Sequence, residues 1–160
     1  MSNDTQEQIA ELQKEINFYK SIISEMTVPL IETFVDNTLL VPLNDHLFTA
    51  RNQAIEEKIV KYIELHHSIK IIIFDFTGIT PKNIQFIDSM ELSNTLEKLN
   101  KTLQMIGIRP IYSGFHPEVV LSLVSSGFMD ELETYSSYKI AIHKVARDLN
   151  FVAPMKKIYD

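Results

Sequence analysis

A mixed β-sheet with helices packed against it, preceded by a separate N-terminal helix, is the α/β architecture that this sequence predicts. Three observations carry it: a nearly all-apolar run at residues 69–76, amphipathic helical stretches on both sides of that run, and a heptad stripe at the front of the chain. The length of 160 residues suits one compact domain with a short extension, and 45% hydrophobic with 22% charged content is the balance of a globular chain.

The stripe comes first. Ile9, Leu12, Ile16, Tyr19, Ile23 and Met26 recur at alternating three- and four-residue spacing, the a and d positions of a coiled coil, which sets residues 1–27 apart as a helix. In that register Glu15 falls at g and Lys20 at the following e, a pair that faces across a parallel dimer. Pairing with a second copy is the expectation; the alternative is that the stripe packs back onto the chain's own domain. Pro29 ends the helix, because it cannot continue the hydrogen-bond ladder, and the domain proper runs over 28–150.

Leu30–Val35 and Thr38–Leu43 are apolar runs separated by Asp36-Asn37, turn chemistry that predicts a hairpin. A helix over Thr49–His67 follows, with Ile55, Ile59, Tyr62 and Ile63 on its sheet-facing side. Ile69–Phe76 is rich in Ile and has no polar alternation, the mark of a central strand buried on both faces. The next helix, Asp88–Ile106, carries Leu92, Leu96, Leu99, Leu103 and Ile106 and stops at Gly107; Arg109–Ser113 is its partner strand. Pro117 starts a short helix that Gly127 closes. A brief strand at Leu132–Tyr135 and a last helix at Ser137–Leu149 complete the domain, leaving 151–160 as a tail.

Composition excludes several classes of function. With no cysteine there is no disulfide framework, thiolate zinc site or cysteine nucleophile, and a cytoplasmic location is expected. The net charge of -6 and scattered Lys and Arg argue against nucleic acid as a partner. The polar, acidic N-terminus lacks the features of a signal peptide, and no apolar run reaches the roughly 18 to 20 residues of a membrane span, so no membrane partner is expected. Gly78, Gly107, Gly114 and Gly127 do not fall at dinucleotide or P-loop spacing, and the five histidines show no metal-ligand spacing; no cofactor and no metal are expected. Tyr112-Ser113-Gly114 lacks the glycine two residues before the serine that a nucleophile elbow needs. Asp75, at the end of the central strand, reads as a turn-forming carboxylate before a catalytic one.

Two hydroxyls remain. Ser89 stands at the start of the second domain helix, where a phosphate meets free backbone N–H groups and the positive end of the helix dipole; an ordinary capping role fits it equally. Asp88 beside it is the candidate N-cap. Ser122, inside the short helix after Pro117, reads on its own as a small polar surface residue.

The run Ile72-Ile73-Phe74-Asp75-Phe76-Thr77-Gly78, then Phe86-Ile87-Asp88-Ser89, then Gly114-Phe115-His116-Pro117-Glu118-Val119-Val120-Leu121-Ser122 resembles the STAS domain of anti-sigma-factor antagonists, especially stressosome scaffold and co-antagonist proteins of Gram-positive bacteria. The resemblance extends over about Val28 to Asn150 and implies a STAS-like fold and a non-catalytic switch. In such a switch a partner serine/threonine kinase modifies a hydroxyl at the start of the second helix, matched here by Ser89, and often a second one, matched by Ser122. It also implies a partner-binding surface around Asp88, Ser89, His116 and Glu118, with other STAS proteins as partners in a homodimer or larger assembly.

Two departures stand out. His116 replaces a common Arg, and the loop Ile79–Gln85 is several residues longer than usual. Relatives of the scaffold type carry an N-terminal sensor domain where this chain has the heptad helix, so the expectation is a sensorless member or the effector half of a longer protein. The expected function is thus a regulatory protein switched by phosphate on Ser89, Ser122 or both. The competing reading is a small-ligand or nucleotide module using Thr77, Gly78, Ser113 and Gly114.

Overall fold

The computed structural model describes residues 2–26, 28–127 and 131–151. In chain order the elements are α1 (Asn3–Glu25), β1 (Ile31–Glu32), β2 (Thr38–Asn44), α2 (Thr49–Leu65), β3 (Ile71–Gly78), a 3-10 turn (Pro81–Ile84), α3 (Ser89–Met105), β4 (Arg109–Ser113), α4 (Pro117–Ser125), β5 (Thr134–Tyr135) and α5 (Tyr138–Asp148). The five strands form one sheet in the order β1-β2-β3-β4-β5, antiparallel between β1 and β2 and parallel elsewhere. This is the mixed sheet with packed helices that the sequence predicts. The proposed tail beyond residue 151 lies outside the described residues.

β3 is central because both of its faces are apolar. Ile72, Phe74 and Phe76 enter a core shared with Ile55 and Ile59 of α2, Leu92, Leu96, Leu99 and Leu103 of α3, and Val119 and Leu123 of α4. Ile71 and Ile73, one residue out of phase, meet Ala141, Ile142 and Val145 of α5 on the other face. Each such fully buried side chain contributes about 1.5–3 kcal/mol, so this strand fixes the position of everything attached to its ends.

The hairpin forms, but its first strand is shorter than the predicted Leu30–Val35. Only Ile31 and Glu32 pair, with Leu40 and Leu39. Val35 is drawn to the opposite face, buried among Ile71, Ile73 and α5, and takes residues 33–35 out of the ladder. The Thr33 hydroxyl donates to the carbonyls of Val35 and Thr38, and Asn37 takes a left-handed conformation (φ 58°). β5 is likewise reduced to Thr134–Tyr135, since Leu132 turns into the core. Gly78 is required by close approach: a Cβ there would lie 2.7 Å from the Leu43 carbonyl oxygen, where the β2–β3 register shifts.

α1 is helical through Ile23 of the predicted stripe, with Met26 as its C-cap, and although it touches α2 the stripe stays largely uncovered. Ile9, Leu12, Ile16, Tyr19, Ile23 and Met26 are between 43% and 77% exposed. The connection after it is fixed by Val28, which is buried and whose carbonyl accepts from the Lys58 ammonium of α2.

Candidate functional site

The long loop after β3 is ordered by its own side chains. Asn83 Oδ1 accepts from both the backbone N–H and the hydroxyl of Thr80, at 2.8 Å each, and Leu47 N–H donates to the Asn83 carbonyl at 2.7 Å. With Ile79 and Ile87 buried at its two ends, the loop delivers the chain to α3 in a single register. Asp88 is the N-cap of α3, its carboxylate accepting the Met90 N–H at 2.7 Å. Ser89 is therefore the first helical residue, half-buried and beside the cap.

α4 starts at the predicted Pro117, and His116 caps it: Nδ1 accepts the Glu118 N–H at 3.3 Å, which places the ring proton on Nε2. His116 and Glu118 are both exposed. The α4 face that carries Val119 and Leu123 packs into the core, which turns Ser122 toward α3. There the Ser122 and Ser89 hydroxyls hydrogen-bond to one another. One turn further along both helices Ser93 and Ser126 repeat the contact, and the Ser93 hydroxyl also donates to the Ser89 carbonyl at 2.8 Å. Four small hydroxyl residues thus line the α3–α4 seam.

Sequence reasoning singled out Ser89 and Ser122 separately and missed Ser93 and Ser126. A signal was present: both helices carry serine at i and i+4, which puts each pair on one face. Also missed was the apolar rim beside the serines, where Phe86, Met90, Leu121 and Val124 are each more than half exposed. Phe86 stands edge-on to His46, ring centroids 5.1 Å apart.

The four residues of the ligand-loop reading lie at the C-terminal ends of β3 and β4, Thr77, Gly78 and Ser113 within the strands and Gly114 just after, and they are engaged with one another and with the backbone. Asp75 accepts from the Thr77 hydroxyl at 2.6 Å and from the Thr77 N–H at 3.1 Å. Gly114 (φ 73°) lies so close that a Cβ would stand 2.3 Å from Thr77 Oγ1, and the buried Ser113 hydroxyl is 3.4 Å from the Phe74 carbonyl oxygen. Asp75 thus lies inside β3 and not in a turn after it, a correction to the sequence expectation: the strand runs on to Gly78, and the carboxylate is held by Thr77 of the same strand. Below it, burial pushes the Tyr112 phenol well above its ordinary range, with its ring stacked on Phe74. Among the described residues no His, Asp or Glu cluster is arranged to hold a metal ion, and no helix is long and apolar enough to cross a membrane.

The model of the STAS domain matches residues 31–141, which take in the whole sheet, α2, α3, α4 and the first turn of α5. The chain belongs to the STAS domain family. Solved structures agree on the fold. An RsbS variant from Moorella thermoacetica superimposes with a TM-score of 0.60 at 15% identity, covering 77% of this chain and 97% of that one. A chain of the stressosome, described as a signal integration and transduction hub, gives 0.58 at 16% identity, covering 78% and 100%. The Bacillus cell-fate determinant SpoIIAA in its phosphorylated form gives 0.50 at 20% identity, covering 74% and 98%. Comparison with curated proteins by sequence gives no significant match. The STAS domain here thus has the fold of anti-sigma-factor antagonists and stressosome proteins, and Ser89 and Ser122 meet at the edge of its α3–α4 face.

Proposed function

We propose that this STAS protein is a non-catalytic regulator that docks partner proteins and is switched by phosphate placed on Ser89 or Ser122 by a serine/threonine kinase. The observation that carries the reading is the convergence of the two hydroxyls, from separate helices, on one half-exposed spot. The exposed apolar side chains of Phe86, Met90, Leu121 and Val124 flank that spot in sequence and supply the area a docking surface needs. Asp88, His116 and Glu118 give it a polar rim.

A phosphate adds close to two negative charges. Placed between α3 and α4, it turns a neutral contact into a charged one and repels an apolar partner face. The likeness to a phosphorylated SpoIIAA and to a stressosome chain supports partners of two kinds, a protein kinase and other STAS proteins. The exposed α1 stripe supports self-association into a homodimer or larger assembly. The small-ligand reading has weaker support, because Thr77 and Gly114 are engaged with each other and with Asp75.

The test is incubation of the purified chain with ATP and a candidate kinase, followed by mapping of phosphate by mass spectrometry. Incorporation at Ser89 or Ser122, with loss of partner binding in the modified form, is the expected outcome. Absence of phosphate from both serines rejects the switch.

A further inference from the structure

Ser89 and Ser122 are 33 positions apart in sequence, yet their hydroxyls share a single hydrogen bond. The seam behind them is closed. Ser93, only 2% exposed, bonds Ser126 one turn along, so the helices leave no gap into which a larger group on Ser89 or Ser122 could turn. A phosphate on either residue has the same place to go, the outward wedge between the first turn of α3 and the middle of α4.

We propose that the two serines form one phosphoacceptor site that carries a single phosphate at a time, so that modification of either closes the other. This rests on the reading of both as kinase targets. In the transfer, a bond forms between the serine Oγ and the γ-phosphorus of ATP, the bond from that phosphorus to ADP breaks, and the hydroxyl proton passes to a base of the kinase. Once Ser89 is modified, its Oγ has no proton and can only accept, which leaves Ser122 as the donor to it or to the phosphate oxygens. A second transfer must then remove that proton beside a group carrying close to two negative charges, while an anionic γ-phosphoryl group approaches the same wedge. At separations of about 5 Å the repulsion between two such groups, even in water, slows the second step by at least about tenfold. The argument is symmetric, so Ser122 modified first closes Ser89.

The site then reports that the pair has been modified, whichever serine was reached first. Two kinases, or one kinase with two docking modes, would compete for it and would not add their signals.

The full chain, its Ser89→Ala and Ser122→Ala variants, and a chain carrying phosphoserine installed at position 89 during synthesis are each treated with ATP and a purified serine/threonine kinase that labels the unmodified chain. Intact mass and peptide mapping are read over time. The expected result is one phosphate on this pair per molecule, fractional occupancies of Ser89 and Ser122 that sum to no more than one, and labelling of the remaining serine in each alanine variant. Labelling of Ser122 should be at least about tenfold slower in the phosphoserine-89 chain than in Ser89→Ala. Molecules carrying phosphate on both serines, formed at the rates of the alanine variants, overturn the single-occupancy proposal and leave the kinase-target reading standing. Failure to label Ser122 in Ser89→Ala, or Ser89 in Ser122→Ala, overturns the pairing. Absence of label from both serines in every chain overturns the kinase-target reading itself.

Discussion

The hydroxyls of Ser89 and Ser122 hydrogen-bond to each other across the α3–α4 contact, and the same contact is repeated one turn on by Ser93 and Ser126. The first pair is half-buried, so water can replace a lost partner; Ser93 is sealed from solvent. Ser89→Ala and Ser122→Ala should each destabilise the chain by about 0.5–1 kcal/mol, and the double variant by less than their sum, since both remove the same bond. Ser93→Ala should cost more, about 1–2 kcal/mol, because the Ser89 carbonyl loses a donor that water reaches poorly. Urea unfolding of the four chains measures this. Strict additivity at Ser89 and Ser122 would show that the two hydroxyls do not interact.

Gly114 gives a second prediction. Its φ of 73° favours glycine, and a Cβ there meets Thr77 Oγ1 at 2.3 Å and Asp75 Oδ1 at 2.8 Å. Gly114→Ala should destabilise by about 2 kcal/mol or more, the sum of backbone strain and a displaced Thr77–Asp75 hydrogen bond. The steric part can be separated from the strain. In a Thr77→Ala background the nearest atom is gone, so the same substitution should cost less there, as thermal melts of the single and double variants would reveal. Equal costs in both backgrounds would place the whole effect in the backbone.

These two sites show where a sequence is legible. Arg109–Ser113 is a strand at the predicted residues, and Asp88 caps α3, because each is decided by its own neighbours: an apolar run between two helices, and a carboxylate before a helical stripe. The short β1 was not legible, since Val35 leaves the ladder to fill space beside α5, an element more than a hundred positions later. The Ser89–Ser122 bond belongs to the same class. Helical periodicity says that Ser89 and Ser93 share a face, but not which other helix that face meets. Resemblance to STAS proteins marked both serines without showing that they touch.

α1 yields a prediction about assembly. Its six heptad positions are exposed while the buried core begins with Val28, so removal of residues 1–27 takes away mainly apolar surface and only the contact of α1 with α2. The full chain should run as a dimer or larger species and the truncated chain as a smaller one with an almost unchanged melting temperature. Ile16→Lys in the full chain should act like the truncation, because a charge at an a position faces its twin across the seam. Native mass spectrometry at several concentrations decides it, and an unchanged oligomeric state in both variants rejects the coiled coil.

The edge of the sheet opposite the hairpin is held by charge, which makes its stability depend on pH. Arg109 of β4 donates to Glu133 through Nε at 2.8 Å and through a terminal guanidinium nitrogen at 2.6 Å, and it reaches Asp148 of α5 at 2.9 Å. The Arg109 hydrogen bond, aided by the Tyr135 hydroxyl, holds the Glu133 carboxyl below its ordinary range; Lys144 and then Arg109 do the same for Asp148. Carboxyl groups lowered in the folded state contribute stability that is fully present above their unfolded values and is lost as pH falls through the folded ones. The contribution is therefore intact at neutral pH and fades only in acid. About a third of each Arg109 and Glu133 side chain is exposed, so solvent screens the pair, and Glu133→Gln should cost about 0.5–1.5 kcal/mol at neutral pH. The same variant should lose less stability than the unaltered chain as pH is lowered from about 7 to about 3, so the two melting curves converge in acid. A gap between them that stays constant over that range would mean that the Glu133 charge adds nothing to the hold of β5 and α5 on the sheet.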